Sequence, residues 1–256
     1  MSAFEALARK EALEIVNTWR IWVLPAIVFA FALAGPFLAK ITPELLASLT
    51  PPGQASVTLP PATFADSYAQ WVKNLSQLVL FAVIIMYGGI VSTEVREGTA
   101  AFVLTKPVHR RTFIAAKSTV HALFIAITFA AGTAITWLVT ALVFGSAPAG
   151  QLWGPAALLC LFALLLLSFI EFFSVVIPAP AGAAGAGLGL YALLAVGGTW
   201  EPLARFSPAG IPGIAADLAS GQEHPAAAWP ALSAVLAAGL GIGLAMFAFH
   251  RKELRP

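Results

Sequence analysis

Six long apolar segments constrain this chain more than any other feature of its sequence. Each approaches the roughly 20 apolar residues that a helix needs to cross about 30 Å of hydrocarbon. Hydrophobic residues make up 59% of the 256 residues and charged residues only 10%, whereas about a quarter of a typical soluble domain is charged. We therefore predict an all-α integral membrane protein, with residues 1–256 forming one transmembrane domain. The predicted spans cover residues 21–39, 75–93, 113–144, 155–177, 181–198 and 229–249.

A segment of mixed character, residues 1–20, precedes the first predicted span. Its apolar residues recur at close to the 3.6-residue period of an α-helix, which predicts an amphipathic helix in the membrane interface. Glu11 falls on the apolar side of this helix, so either the helix faces protein there or Glu11 has a partner. An ordinary polar lead-in to the first span is the alternative. The apolar residues are Phe4, Leu7, Ala8, Ala12, Ile15 and Trp19.

Two of the connections between spans are long. Residues 40–73 are rich in Pro, Thr and Ser, which predicts an external loop with room for one short helix. Residues 199–228 are rich in Pro and Gly but too apolar for a solvated loop. We predict that this second segment forms short helices that re-enter the outer leaflet before the last span, covered there by protein or a water-filled cavity.

Basic residues cluster on one side of the predicted membrane. Cytoplasmic connections of membrane proteins carry an excess of Lys and Arg. Both termini and the connection between the second and third spans carry that excess here, so we predict that they lie in the cytoplasm. The basic residues on this side are Arg9, Lys10, Arg20, Arg96, Lys106, Arg110, Arg111, Lys117, Arg251, Lys252 and Arg255, against Lys40, Lys73 and Arg205 on the other.

The sequence lacks the motifs of the common catalytic and cofactor sites. It has no Gly-x-x-x-x-Gly-Lys-Ser/Thr phosphate loop, so the chain alone is not expected to bind ATP. Cys160 is the single cysteine and the four histidines are scattered, which gives no metal-binding pattern. The net charge of +2 does not indicate nucleic-acid binding. We therefore expect a non-catalytic protein with no metal or cofactor of its own and no nucleic-acid partner.

One acidic residue, Glu171, lies within a predicted span, in the stretch LLLLSFIEFFSVV. Ionisable residues inside membrane segments commonly mark ion or substrate pathways. Glu171 is therefore a candidate for a substrate pathway, and it is the basis of an alternative function as a stand-alone secondary transporter or channel. The competing interpretation is a carboxyl group near the interface that is held by hydrogen bonds or protonated.

Residues 94–117, EVREGTAAFVLTKPVHRRTFIAAK, interrupt the apolar sequence with a large share of its positive charge. Gly98 permits a sharp turn as the second span leaves the membrane, and Pro107 ends the short helix that follows. The pattern predicts a compact helix on the membrane surface, able to fit a groove in another protein. A solvated basic loop that only fixes the topology explains the charges about as well.

The ordered motifs of the chain resemble those of the ABC type-2 exporter permeases, the membrane subunits of ATP-binding cassette transporters. In residues 94–117 the resemblance lies in a charged start, Gly-Thr, a leucine-bearing helix, Pro-x-x-Arg and a Lys seven residues later. Lys10-Glu11 resembles the Lys-Glu pair of the family's connecting helix. FSPAGIPGIAADLAS resembles the re-entrant segment before the family's last span. These similarities extend over nearly the whole chain and follow the family's order.

The resemblance implies that residues 94–117 contain a coupling helix that contacts an ATPase, with Lys10 and Glu11 close to it. His109 stands where the family usually has Ser or Thr, and Arg111 adds a charge. The residues implied at the start of the coupling helix are Glu94, Arg96, Glu97, Gly98 and Thr99, and those at its end are Pro107, Arg110 and Lys117.

The resemblance also implies an exporter in a bacterial plasma membrane, built from two permeases and two separate ATPase subunits. The second permease would be another copy of this chain or a paralogue, and membrane lipid would surround both. ATP and Mg would bind to the ATPases, and substrate would pass between the permeases. Besides secondary transport through Glu171, the remaining alternative is a membrane sensor or anchor subunit whose cytoplasmic loop recruits a regulator.

Overall fold

The computed structural model describes residues 2–48, 60–105, 108–222 and 227–253, and these ranges are helical apart from short connections. The helices are α1 (Ala3–Asn17), α2 (Arg20–Ser48), α3 (Phe64–Asn74), α4 (Leu80–Tyr87), α5 (Ser92–Arg96), α6 (Thr99–Leu104), α7 (Arg110–Phe144), α8 (Gly150–Val176), α9 (Pro180–Gly197), α10 (Glu201–Phe206), α11 (Ile211–Ala219) and α12 (Ala228–Arg251). A π-helical turn, Leu75–Val79, joins α3 to α4, and a 3-10 turn, Pro208–Gly210, precedes α11.

The six predicted membrane spans are present. Six helical segments have the length and apolar composition to cross a membrane. Continuous helices satisfy their backbone N–H and C=O groups internally, as the hydrocarbon core requires. The prediction of an all-α integral membrane protein with six spans is therefore confirmed. The segments are Arg20–Leu45, Phe64–Arg96, Arg110–Phe144, Gly150–Val176, Pro180–Gly197 and Ala228–Arg251.

Both ends of the predicted connection between the first two spans are helical. We predicted a loop over residues 40–73 with room for one short helix, but α2 continues to Ser48, and α3, which begins at Phe64, continues into the second span. The start of α3 is fixed by the carboxylate of Asp66, which accepts the backbone N–H of Thr63 at 2.7 Å. One face of α3 is buried, and the rest of the helix includes the polar residues Asp66, Gln70 and Lys73. Because of this mixed composition, α3 does not stand out as part of a long apolar segment in the sequence.

The core of the bundle lies around α8, which packs against α7, α9, α11 and α12. The side chains of Leu159, Leu166 and Ile170 are fully buried in this region. In contrast, α2 and α12 expose large apolar side chains, among them Trp22 and Leu236. Exposed apolar surface of this kind is expected where a helix contacts lipid.

The two ends of the bundle differ in character. At one end lie α1, α5, α6, the first turns of α7 and the last turn of α12, and we call this the charged end. At the opposite end lie the connection between α7 and α8, together with α11, whose following residue Gly221 is near Gln151. Residues 201–219 form the short helices α10 and α11 within the segment predicted to hold such helices. Their depth in the bilayer stays a prediction.

Gly132 of α7 lets α2 and α3 approach α7 closely. A methyl group on this glycine would collide with Val28 of α2 and would lie 2.9 Å from Trp71 of α3. Both of these side chains are buried. Because membrane helices approach one another through small residues, Gly132 helps to set the spacing of the first three spans.

Gly132→Ala is expected to lower the free energy of unfolding by about 1–3 kcal/mol, because the added methyl group overpacks a closed contact. Gly239→Ala is the matched control, since its methyl group would meet no atom within 4 Å. We expect this control to be neutral or slightly stabilising, because Ala is a better helix former than Gly by about 1 kcal/mol. Thermal unfolding of both variants in one detergent measures the difference, and equal melting temperatures would contradict the packing described here.

Candidate coupling site

The second span has a break between α4 and α5, just before the charged residues 94–117. The backbone N–H groups of Val91 and Ser92 both donate to Ser174 Oγ of α8 at 3.0 Å. A methyl group on Gly88 would lie 2.6 Å from Ala184, so this glycine lets α9 pack directly against the break. The end of the second span is thus held by α8 and α9.

Gly98 turns the chain between α5 and α6. Its φ of +75° lies in the left-handed region that favours glycine, which confirms the predicted turn. The Thr99 hydroxyl donates to the carbonyl oxygen of Glu94 at 3.1 Å across this turn. The short helix predicted to follow Gly98 is α6. Pro107, which we predicted to end that helix, lies outside the described residues together with Lys106.

Lys117 is fully buried in α7 and pairs with two carboxylates from other elements. Its Nζ lies 2.6 Å from Glu11 Oε2 of α1 and 2.8 Å from Glu94 Oε1 of α5. The same ammonium group lies 5.5 Å from the centre of the Phe113 ring. An unpaired ammonium group at this depth would be strongly destabilising. The two carboxylates therefore supply the ion-pair partners that a lysine at this depth needs.

Lys10 of α1 joins the same carboxylates from the more exposed side. Its Nζ lies 2.6 Å from Glu94 Oε1, 2.9 Å from Glu11 Oε1 and 2.9 Å from Glu14 Oε2. Oxygens of these three carboxylates lie within 4.8 Å of one another, and they converge on the Lys10 ammonium group. Lys10, Glu11, Glu94 and Lys117, four of the predicted site residues, thus form one group that we call the ion cluster. It joins α1, α5 and α7.

The charges in and next to the ion cluster balance. Arg20, at the start of α2, places its Nη1 3.1 Å from Glu14 Oε1 and supplies the third positive charge. The three carboxylates and three cations are Glu11, Glu14, Glu94, Lys10, Lys117 and Arg20. We predicted that α1 faces protein at Glu11 or that Glu11 has a partner, and both statements hold: Glu11 is buried and pairs with Lys10 and Lys117.

The pKa values of Glu11, Glu14 and Lys10 are shifted in favour of the ionised forms. Burial disfavours the charged form of Glu11, but His121, 3.3 Å away, and the charges of Lys117 and Lys10 outweigh burial and hold the pKa of Glu11 well below its usual range. For Glu14, burial is again outweighed, by the charge of Lys117 and by Lys10, so its pKa is lowered. For Lys10, the neighbouring carboxylates outweigh burial and raise its pKa above the usual range. The ionised carboxylate of Glu11 only accepts hydrogen bonds, so its contact with His121 requires a proton on His121 Nε2.

The other predicted residues at the start of the coupling segment lie on its outer side. Arg96, Glu97 and Thr99 are exposed. Next to them on α6, Phe102 is 73% exposed. The segment therefore has a buried side, which belongs to the ion cluster, and an exposed side with mixed charges and one aromatic ring.

Arg110 binds the last turn of α12. Its Nη1 donates to the carbonyl oxygens of Phe249 and His250 at 3.2 Å and of Lys252 at 2.5 Å. The last carbonyl groups of a helix have no hydrogen-bond donor within the helix. Arg110 of α7 provides a donor for those at the end of α12. The structure thus separates Arg110 from the ion cluster and places it between the third and sixth spans.

Glu171 is fully buried in α8 and forms no ion pair within the described ranges. Ser118 of α7 donates a hydrogen bond to Glu171 Oε2, whereas Oε1 has no partner among the described residues. The hydroxyl of Tyr87 is also buried without a partner among them. Ser118 thus supplies a hydrogen bond to this carboxyl group, and the substrate-pathway role of Glu171 stays a prediction.

Four residues of the site, Glu14, Arg20, His121 and Ser174, were not predicted. Glu14 follows Lys10 by four residues, a spacing that brings side chains together on a helix, and the sequence contained this signal. His121 follows Lys117 at the same spacing, so it too was available from the helical period. Ser174 acts through backbone N–H groups of another helix, and no sequence pattern indicates that contact.

The fold and the site define a multi-pass helical membrane protein in which buried ion pairs join the N-terminal helix to the connection between the second and third spans. The family model described as ABC-2 family transporter protein matches residues 5–204, from α1 into α10. The chain belongs to this family of membrane transport components, and the resemblance to the ABC type-2 permeases is confirmed. No curated protein shows significant similarity to the chain.

Glu11→Gln and Glu171→Gln make the same chemical change at two buried positions. Glu11→Gln is expected to lower the free energy of unfolding by about 3 kcal/mol, because Lys117 loses one of its two buried carboxylates. Glu171→Gln is expected to change it by less than about 1 kcal/mol, since the amide oxygen still accepts from Ser118 and no cation is left unpaired. Thermal unfolding of the two variants compares them, and a larger loss for Glu171→Gln would contradict the assignment of charges.

Stability is expected to fall in acid because of the ion cluster. The lowered pKa values of Glu11 and Glu14 mean that their contribution is fully present above the unfolded pKa of about 4.3 and is lost as the pH falls through the native values. The raised pKa of Lys10 gives a contribution that is lost only above about pH 10. Melting temperatures should therefore be nearly constant from about pH 6 to 9 and fall below about pH 5.

Two variants test whether the ion cluster causes the acid sensitivity of the melting temperature. Glu11→Gln should flatten the acid limb of the melting curve, because one of its titrating groups is gone. Glu201→Gln, which removes an exposed carboxylate at α10, should leave the curve as in the wild type. If Glu11→Gln and wild type lose stability equally between pH 6 and 4, the acid sensitivity arises elsewhere.

Proposed function

We propose that the chain is the permease subunit of an ATP-driven exporter and that a separate ATPase docks on the exposed side of α5 and α6. The observation that carries this proposal is the two-sided charged segment, whose outer side is exposed and whose inner side belongs to the ion cluster. Family membership supplies the class of transporter. A partner that pushes on the exposed side of this segment would displace Glu94, and with it the ion cluster.

The outer side has the properties of a docking helix. Phe102 offers an exposed aromatic ring, and Arg96 and Glu97 offer one charge of each sign beside it. A short helix with an aromatic anchor and flanking charges suits a groove on a partner protein. Thr99 lies on the same outer side and belongs to the predicted start of this helix.

The inner side connects the docking helix to the bundle. Glu94 lies two residues before Arg96 in α5 and binds both Lys10 of α1 and Lys117 of α7. A displacement of α5 therefore acts on the interfacial helix and on the third span together. We infer that closure of the ATPases on ATP pushes the exposed side, and that the ion cluster passes the movement to α1 and α7.

The remaining parts of the proposal follow from family membership and from the distribution of basic residues. Two permeases, identical or paralogous, would combine with two ATPases that bind ATP and Mg, and the substrate would pass between the permeases. The charged end would lie in the cytoplasm, since it carries most of the basic residues. Transport would then run outward through a bacterial plasma membrane.

Phe102→Ala is expected to reduce the recovery of ATPase with the tagged chain at least about tenfold, because a buried aromatic anchor commonly contributes 2 kcal/mol or more to binding. Phe206→Ala is the matched control: it removes an aromatic ring that is 55% exposed on α10, away from the charged end. Both variants are purified from native membranes, and the co-purified proteins are identified by mass spectrometry.

Absence of any phosphate-loop ATPase from a gently solubilised wild-type preparation would overturn the proposal. Equal recovery with Phe102→Ala and Phe206→Ala would leave the ATPase as a partner but remove α6 as its docking helix. Proton-driven transport by the purified chain alone, abolished by Glu171→Gln, would establish the secondary transporter instead. A captured regulator without transport would indicate the sensor or anchor subunit.

A further inference from the structure

We propose that an open basic pocket at the charged end binds the phosphate of an anionic phospholipid headgroup. The pocket lies between the first turn of α7 and the last turn of α12, and it encloses about 620 Å³, within the range of about 300–1,000 Å³ typical of ligand sites. It is separate from the ion cluster and from the exposed side of α6. Its lining residues are Val108, His109, Arg110, Arg111, Thr112 and His250.

The walls of the pocket are held in place by contacts between α7 and α12. The Arg110 guanidinium group donates to three carbonyl oxygens at the end of α12. Directly inside the bundle, the rings of Phe113 and Phe249 stack with their centres 5.2 Å apart and an angle of 13° between them. Both rings are buried. These contacts fix the two walls of the pocket relative to each other.

Every lining side chain that can carry a charge is basic. Arg111, His109 and His250 are exposed and have no ion pair among the described residues. Arg110 is half-buried and engaged with α12, so Arg111 supplies the permanent charge that is free to meet a ligand. Within the described ranges, no acidic residue lines the pocket. A cavity of this composition favours an anion, and a phosphate group offers both the charge and several hydrogen-bond acceptors.

The position of the pocket favours a lipid as the source of that phosphate. It lies where two membrane spans end, at Arg110 and at Arg251. Four residues before Arg251, Phe247 is 56% exposed, and the Arg251 guanidinium carbon lies 4.3 Å from the centre of its ring. An arginine over an exposed aromatic ring at a span end is typical of the boundary between headgroups and acyl chains. Phe247 thus offers exposed apolar surface for acyl chains one turn before the end of α12.

The proposed orientation places this pocket at the inner leaflet. Anionic lipids of the cytoplasmic leaflet attract basic residues near the surface, and basic pockets at the ends of spans bind their headgroups. This inference rests on the proposed orientation of the charged end, but it needs neither an ATPase nor a transport activity. Failure to find an ATPase would therefore leave the lipid proposal intact.

The test is lipid binding by the purified full-length chain, with any subunits that co-purify, measured by native mass spectrometry. Phosphatidylglycerol is expected to bind more tightly than phosphatidylcholine of the same acyl chains. Arg111→Gln is expected to weaken phosphatidylglycerol binding about fivefold, the usual effect of one basic residue at an anionic surface. Arg111→Lys should restore most of the affinity, because it keeps the charge.

Arg205→Gln is the matched control, since it removes one exposed arginine from α10, and it should leave the affinity unchanged. Equal binding of the two lipids by the wild type, or an equal loss in Arg205→Gln and Arg111→Gln, would overturn the proposal. Full competition by inorganic phosphate at millimolar concentration would assign the pocket to a free anion. Loss of a co-purified ATPase in Arg111→Gln with unchanged lipid binding would assign it to protein docking.

Discussion

The buried ammonium group of Lys117 is the constraint on which the charged end depends. Burying an unpaired charge of this kind costs several kcal/mol, and α7 contains no acidic residue that could pair with it. The partners must therefore come from elsewhere, and they are Glu11 of α1 and Glu94 of α5. As a result, the third span is stable in its position only when the interfacial helix and the end of the second span are both docked against it.

This requirement makes separate elements move together. Glu94 binds Lys10 and Lys117 with the same oxygen, at 2.6 and 2.8 Å, so α1 and α7 cannot shift independently of α5 without losing an ion pair. Arg110 extends the connection to α12 through backbone carbonyl groups. In the proposed exporter, a push on α6 would therefore reach three spans and the interfacial helix from one point of contact.

The sequence predicts the spans and the turn at Gly98 well, because apolar length and glycine's backbone freedom are local properties. It does not distinguish Glu94 and Lys117, which are buried, from Arg96 and Glu97, which are exposed, although all four lie in one charged segment. The partners that decide burial are distant: Lys10 and Glu94 are 84 residues apart in the chain. A single sequence contains no pattern that pairs residues at such separations.

Glu11 and Glu171 show why residue type alone does not assign a role to a buried carboxyl group. Glu11 contacts two cations, and its charge completes a balanced set of three carboxylates and three cations. Among the described residues, Glu171 accepts a hydrogen bond from the Ser118 hydroxyl and forms no ion pair. Two buried carboxyl groups of one bundle thus differ in their partners, since Glu11 lies in a network of cations and Glu171 is held by a single hydroxyl.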